Sequence, residues 1–391
     1  MTQTTSDGQV PAVSWMRSVA VFGILMLLGA SGCRDILGGG SSSKQWIEWK
    51  VAAGRSGLHT SFGAPVADDQ RVYLGADTGF VAFDRVTGAL LWRSPIEKWG
   101  GYRNIISRNG ALLFATDQLG PAYSLDAATG TVRWIRHDLA GRGVDFPRSA
   151  ADDLAWYVAT RSLDVMALDP ETGRTIWQMR LAADWQEDSG MRGLSVSGDT
   201  VYAAAERCLN DNCFEVTGVI VALDRRTGAE LWRWQAAGKQ NNIVKSPVVA
   251  GRLLLGGDRI DNTFFAVDRF TGEEVWRVKG ERGFVGPYSP PVVADGVAYS
   301  GMGDTRVYAA ELETGRVLWS TPTGSSIIDV ALCGAYVLVH NQALLVIDRQ
   351  TGRRVATPVP GDDEFTITDI TVYGNHAYIA GNRYLYSIRC D

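Results

Sequence analysis

The sequence predicts an all-β fold: an eight-bladed β-propeller of four-stranded antiparallel blades, closed by pairing N- and C-terminal strands in the last blade. Three observations carry that prediction. A signature of the form A-x-D-x-x-T-G-x-x-x-W recurs, beginning with Ala82-Phe83-Asp84, Thr87-Gly88 and Trp92. Its period of about 43 residues is that of one four-stranded blade. No amphipathic run of about ten residues or more interrupts the series.

The chain has 391 residues, with 38 Lys+Arg against 43 Asp+Glu and a formal charge of −5. That balance argues against a nucleic-acid binder, which carries a basic domain. The 46% hydrophobic and 21% charged content is that of a globular chain and excludes disorder or many membrane spans.

Taken in order, residues 1–32 read as a signal peptide. Met16-Arg17 opens the almost wholly apolar run Ser18 to Leu28, which breaks into Gly29-Ala30-Ser31-Gly32 before Cys33. A charged start, a short apolar core and small residues describe a secretory signal, too short to span a bilayer comfortably. With cysteine next, the pattern resembles a bacterial lipoprotein signal. That resemblance implies that Cys33 is diacylated, and Arg34 rather than Asp after it implies sorting to the outer membrane, facing the periplasm. Residues 1–15 carry no basic residue, so translation is expected to start at Met16. Residues 33–44, with Gly38-Gly39-Gly40-Ser41-Ser42-Ser43, read as a flexible tether.

Residues 45–391 are expected to form one propeller domain. The Asp-x-x-Thr-Gly element returns at Asp126, Asp169, Asp224, Asp268 and Asp348, with Glu311 in one copy. Asp accepts turn N–H groups, Thr adds a hydroxyl, and Gly supplies the positive φ needed between third and outer strands. The tryptophans Trp92, Trp134, Trp177, Trp232, Trp276 and Trp319 are expected to lie flat between adjacent blades, each N–H reaching a backbone acceptor. The seventh copy has Ala356 in that place. Trp49, in Gln45 to Lys50, reads as an outer strand without a preceding repeat. Ala377 to Gly381 and Tyr384 to Ile388 read as inner strands without a following outer one. Joining the two fragments makes the eighth blade and removes the open edges of the array.

The repeated signature resembles that of the quinoprotein (PQQ-like) propellers, over essentially all of residues 45–391. The resemblance is greatest to the BamB lipoproteins of outer-membrane β-barrel assembly, and it implies a non-catalytic, lipid-anchored scaffold with no cofactor. The quinoprotein dehydrogenases of the same fold are longer, carry an adjacent cysteine pair and gather carboxylates around calcium. Here no cysteines are adjacent, and the four histidines show no metal-ligand spacing. Asp152-Asp153, Glu187-Asp188 and Asp362-Asp363-Glu364 read as solvated turns. A quinoprotein-type oxidoreductase is the alternative of another class, and a propeller binding a small ligand or polysaccharide in its central channel is a third.

In the BamB family a Leu-Arg-Gly type stretch after the third full tryptophan contacts the barrel-assembly protein. Met191-Arg192-Gly193-Leu194 follows Trp177 here, so this resemblance implies a partner site in that connection. The family's paired aspartates in the next connection are absent, and Lys239 to Lys245 holds no acid. The face opposite the Asp-x-x-Thr-Gly turns collects His59, Trp99, Tyr102, Arg103, Arg142, Phe146, Arg148, Lys245, Phe284, Ile327 and Phe365. Basic and aromatic groups on a rigid scaffold suit a protein interface, with Arg103, Phe146 and Phe284 as further candidates. One tryptophan interval is lengthened by an insertion holding Cys208 and Cys213, expected to form a local disulfide after export. Cys333 and Cys390 fall in blades seven and eight, where a bridge would lock ring closure.

Overall fold

In the computed structural model, eight four-stranded antiparallel sheets follow one another around a ring. The structure describes residues 45–52, 64–76, 79–94, 96, 105–115, 120–139, 149–160, 163–182, 185, 189–236, 245–281, 289–359, 369–381 and 384–391. Blades 1 to 7 occupy 66–94, 105–136, 150–180, 190–235, 248–279, 292–322 and 329–359. Blade 8 combines Thr371–Tyr373, His376–Ala380 and Tyr384–Arg389 with the outer strand Ile47–Ala52. Ile47–Ala52 pairs antiparallel with Tyr384–Arg389, so strands from opposite ends of the propeller close the ring. Among the described residues the only helical element is the short turn His137–Leu139.

The hydrophobic core lies between blades. Tyr73, Phe80 and Ala82 of blade 1 pack against Ile105, Leu112 and Phe114 of blade 2, with Phe80 and Phe114 ring centroids 3.9 Å apart. The Tyr202, Ile220, Leu254 and Phe265 cluster joins blades 4 and 5 in the same way. Central strands, such as Thr263–Asp268, are buried along their whole length, while the outer strand Ile47–Ala52 alternates between half-buried and exposed. That gradient is the one a ring of face-packed sheets requires.

Each tryptophan docks on the next blade. The indole N–H of Trp92 donates to the Ala127 carbonyl at 3.2 Å, Trp134 to Pro170 at 2.9 Å and Trp276 to Leu312 at 2.8 Å. Trp49, Trp177, Trp232 and Trp319 repeat the bond to Arg85, Arg225, Arg269 and Arg349. The signature glycine is needed twice over. Gly130 has φ +73°, and a Cβ there would stand 2.5 Å from the Trp92 ring. A methyl group on the glycine would therefore meet both backbone strain and the docked indole.

The turns behave as a set of carboxylate caps. Asp84 Oδ1 accepts the N–H groups of Val86 and Thr87 at 3.1 and 2.8 Å and the Thr87 hydroxyl at 2.8 Å. Thr87 holds the Asp84 carboxyl below its ordinary range, as Thr172, Thr227 and Thr351 do for Asp169, Asp224 and Asp348. The guanidinium groups of Arg133 and Arg252 do the same for Asp126 and Asp268. A carboxyl depressed in the folded state contributes stability above its unfolded pKa and loses it as pH falls through the folded value. Stability is therefore expected to be flat from about pH 7 to about pH 5 and to fall steeply below about pH 4. Thermal unfolding across that range checks this; a melting temperature still unchanged at about pH 3 would contradict it.

On this turn face, Asp152 departs from the sequence expectation of a solvated carboxylate. It accepts the Leu154 and Ala155 N–H groups at 2.8 and 3.0 Å, and Arg225 of blade 4 reaches it at 3.0 Å. Arg269 reaches Ser197 of the preceding blade at 3.0 Å, and Arg349 pairs with Asp295. Each contact joins the first hairpin of one blade to the turn before the outer strand of the next, beside the tryptophan docks.

Candidate protein-interaction site

The functional reading centres on blade 4, whose inner strand Gly190–Ser197 pairs with Thr200–Cys208. Register runs from Met191 opposite Ala205 to Gly193 opposite Ala204, which leaves Arg192 as the extra residue of a β-bulge. A bulge re-aims one side chain without breaking the sheet. Arg192 keeps 40% of its side chain exposed and ion-pairs with Glu206, whose side chain is 8% exposed.

The sequence placed Met191-Arg192-Gly193-Leu194 in a connection; the structure places the four in a strand. Met191 and Leu194 are buried in one cluster with Trp177, Leu181 and Ala203, so they hold the blade and are not open to a partner. A Cβ on Gly193 would stand 2.3 Å from the Ser246 backbone, so glycine there permits close approach to the chain entering blade 5. Of the four, Arg192 alone combines charge with exposure. Alternation within the strand sends its neighbours inward, and the bulge turns Arg192 out.

The same end of blade 4 carries the insertion. Thr200–Cys208 and Val216–Asp224 are nine residues each, the longest strands among the described residues. Cys208 and Cys213 form a disulfide with Cα atoms 4.9 Å apart. Leu209 N–H donates to Glu215 O at 2.8 Å and Cys213 N–H to Asn210 O at 3.0 Å, which tie the tip across the disulfide loop. It presents Phe214, 77% exposed. Trp185 lies beside two guanidinium groups, Arg207 at 5.8 Å and Arg233 at 5.5 Å from its ring. Neither Glu206 nor Trp185 was legible as part of the site, because cross-strand neighbours follow only once register is known.

A second feature crosses the ring. Lys245, which enters blade 5 with φ +57°, places Nζ 2.8 Å from Asp369 Oδ1 at the entry to blade 8. Blades 6 and 7 intervene on one side and blades 1 to 4 on the other, so this ion pair spans the central channel. Ile327 is a buried side chain packed with Val330 and Val337 and is not a surface group. Cys33, His59, Trp99, Tyr102, Arg103, Arg142, Phe146, Arg148, Phe284 and Phe365 lie outside the described residues, as do Glu187-Asp188 and Asp362-Asp363-Glu364.

A quinone with its calcium ion needs converging carboxylates. Among the described residues no three His, Cys, Asp or Glu side chains come together as a metal site. Four of the five cysteines are taken by the Cys208–Cys213 and Cys333–Cys390 disulfides. The described residues do not fit that pair.

A ring of eight four-stranded blades, each indole seated on the next blade's glycine, defines the class: a PQQ-like, tryptophan-docking β-propeller. The family profile described as "Outer membrane protein assembly factor BamB" matches residues 41–210 and 216–371, and the chain belongs to that family. A polyvinylalcohol dehydrogenase of Pseudomonas sp. is 26% identical over 229 residues, 54% of this chain and 32% of that one. An outer membrane protein assembly factor BamB of Alteromonas naphthalenivorans is 28% identical over 264 residues, 58% of each chain. These matches thus span about a third and under two thirds of the relatives' own lengths. The crystal structure of BamB from Moraxella catarrhalis superposes with a TM-score of 0.68 at 18% identity, covering 88% of this chain and 97% of that one. That likeness concerns the fold.

Proposed function

We propose that this protein is a lipid-anchored periplasmic scaffold of outer-membrane β-barrel assembly, and that blade 4 docks the barrel-assembly protein through Arg192. The observation that carries the reading is the bulge: it holds one half-exposed arginine outward over a buried glutamate, on a propeller of the BamB family. Residues 1–32 act as the signal peptide, Cys33 takes the acyl chains, 33–44 form the tether and 45–391 the propeller. The anchor keeps the blade 4 rim at high effective concentration near a membrane-embedded partner. Several acyl chains on one cysteine make that hold stable.

The anchor is tested by metabolic labelling with a radioactive fatty acid. Label is expected on the wild-type protein in the outer-membrane fraction and absent from Cys33→Ala. Equal labelling of both would overturn the anchor.

The polyvinylalcohol dehydrogenase relative supports a second reading, a quinoprotein-type oxidoreductase. Calorimetric titration with pyrroloquinoline quinone and calcium separates the two. The scaffold reading expects no saturable heat and no shift in melting temperature. Stoichiometric binding, which raises the melting temperature by mass action, would favour the enzyme.

A further inference from the structure

We propose that the Cys333–Cys390 disulfide is a redox latch for the propeller, closing the seam between blades 7 and 8 where the tryptophan dock is missing. At seven seams an indole of one outer strand rests on the turn glycine of the next blade: Trp49 on Gly88, Trp92 on Gly130, and so on to Trp319 on Gly352. In blade 7 the equivalent outer-strand position is Ala356, opposite Val346 as Trp319 is opposite Ala309. Blade 8 draws its third and outer strands, Tyr384–Arg389 and Ile47–Ala52, from opposite ends of the propeller. No hairpin turn joins them, so no turn glycine exists for an indole to rest on. The two halves of the dock are missing together, as expected when neither is useful without the other.

The disulfide stands in that gap. Cys333 closes the first hairpin of blade 7 opposite Tyr336, and Cys390 follows the third strand of blade 8. Their Cα atoms are 5.6 Å apart, and both residues are almost fully buried. A Cβ on Gly334, which has φ +56°, would stand 3.0 Å from the Cys390 carbonyl oxygen, so the two backbones are already in contact. The rest of the seam is built as elsewhere, with Leu338 and Val346 packed among Ile379, Tyr386 and Ile388, Trp46 edge-on to Tyr336 at 5.0 Å and the Ile370 N–H donating to Asp329 Oδ2 at 2.7 Å; the part it lacks is the indole dock. The Cys208–Cys213 bond differs in kind. It spans five residues within one hairpin and crosses no seam.

The latch sets by thiol–disulfide exchange with a disulfide-bearing oxidant of the cell envelope. One cysteine thiolate attacks that disulfide and releases one thiol. The second thiolate then attacks the mixed disulfide and releases the other, so two electrons and two protons pass to the oxidant. Before this step the seam between blades 7 and 8 is held by its packed core and hydrogen bonds, without the indole dock that the other seven seams have. Afterwards the bond holds blade 8 against blade 7, and the closed state is favoured in an oxidising compartment.

Peptide-resolved hydrogen exchange on the full protein tests this, comparing wild type, wild type in dithiothreitol, Cys333→Ser/Cys390→Ser and Cys208→Ser/Cys213→Ser. Local openings of one unit raise exchange there alone. Exchange is expected to rise about tenfold or more in 45–52, 329–340 and 371–391 in the reduced protein and in the Cys333 and Cys390 variant, with blades 2 to 4 unchanged. The Cys208 and Cys213 variant is expected to leave those segments at wild-type rates. Unchanged exchange at the seam after reduction, or a uniform rise around the ring, would overturn the latch. If the serine variant fails to fold, reduction of the folded wild type still gives the deciding result.

Discussion

Trp276→Ala is expected to destabilise the propeller by about 3–5 kcal/mol. The indole is 8% exposed, donates its N–H to Leu312 O at 2.8 Å, meets Phe264 edge-on at 5.5 Å and covers Gly315. Truncation leaves a cavity between blades 5 and 6 and a carbonyl without its donor, and each loss adds to the cost. Gly315→Ala attacks the same dock from the other side, since φ is +70° and a Cβ would stand 2.8 Å from the ring. Ala356→Trp supplies the contrast, because blade 8 offers no turn glycine, and no stabilisation is expected. Denaturant unfolding of the three variants checks this; a loss under about 1 kcal/mol for Trp276→Ala would mean that the docks do not carry the seams.

The second large effect concerns binding. Arg192→Glu alone would set two carboxylates together at a largely buried site, so loss of binding could reflect a damaged blade. Arg192→Gln/Glu206→Gln keeps a hydrogen-bonding pair of similar shape while removing both charges. This double variant is expected to melt within a few degrees of wild type and to lose about tenfold or more in affinity for the barrel-assembly protein, about 1.4 kcal/mol. Met191→Ala is expected to do the opposite. It should cost about 2–5 kcal/mol of stability, as a core truncation, and leave affinity of the folded protein unchanged. Titration of the purified periplasmic part of the partner, with melting curves of each variant, separates these outcomes. A Met191→Ala protein that is stable but does not bind would return that residue to the interface.

The fold was legible because its determinants repeat. Asp84, Thr87, Gly88 and Trp92 sit at fixed spacing, and the same physical demand recurs in each blade: a capped turn, a positive φ and a flat ring to fill the seam. Ring closure was legible from Trp49 standing one period before Trp92. The site was less so. A β-bulge is a count of two residues against one on the neighbouring strand, and nothing in Met191-Arg192-Gly193-Leu194 reveals that partner before register is known. Position in sequence therefore put all four residues in a connection, whereas pairing with Thr200–Cys208 buries Met191 and Leu194 and leaves Arg192 out. Asp152 was misread for a related reason. Its ligand Arg225 lies a blade away, and only the assembled ring brings them to 3.0 Å. The exchange of a tryptophan dock for a disulfide was half visible in Ala356, but the matching loss of a turn glycine in blade 8 follows from topology.

A docking scaffold of outer-membrane assembly should come out of its own membranes with its partner when the tagged, lipidated protein is captured in mild detergent. Partners are identified by mass spectrometry, with Arg192→Gln/Glu206→Gln run in parallel. Wild type is expected to recover the barrel-assembly protein, and the double variant is not. A wild-type preparation without that protein would contradict it.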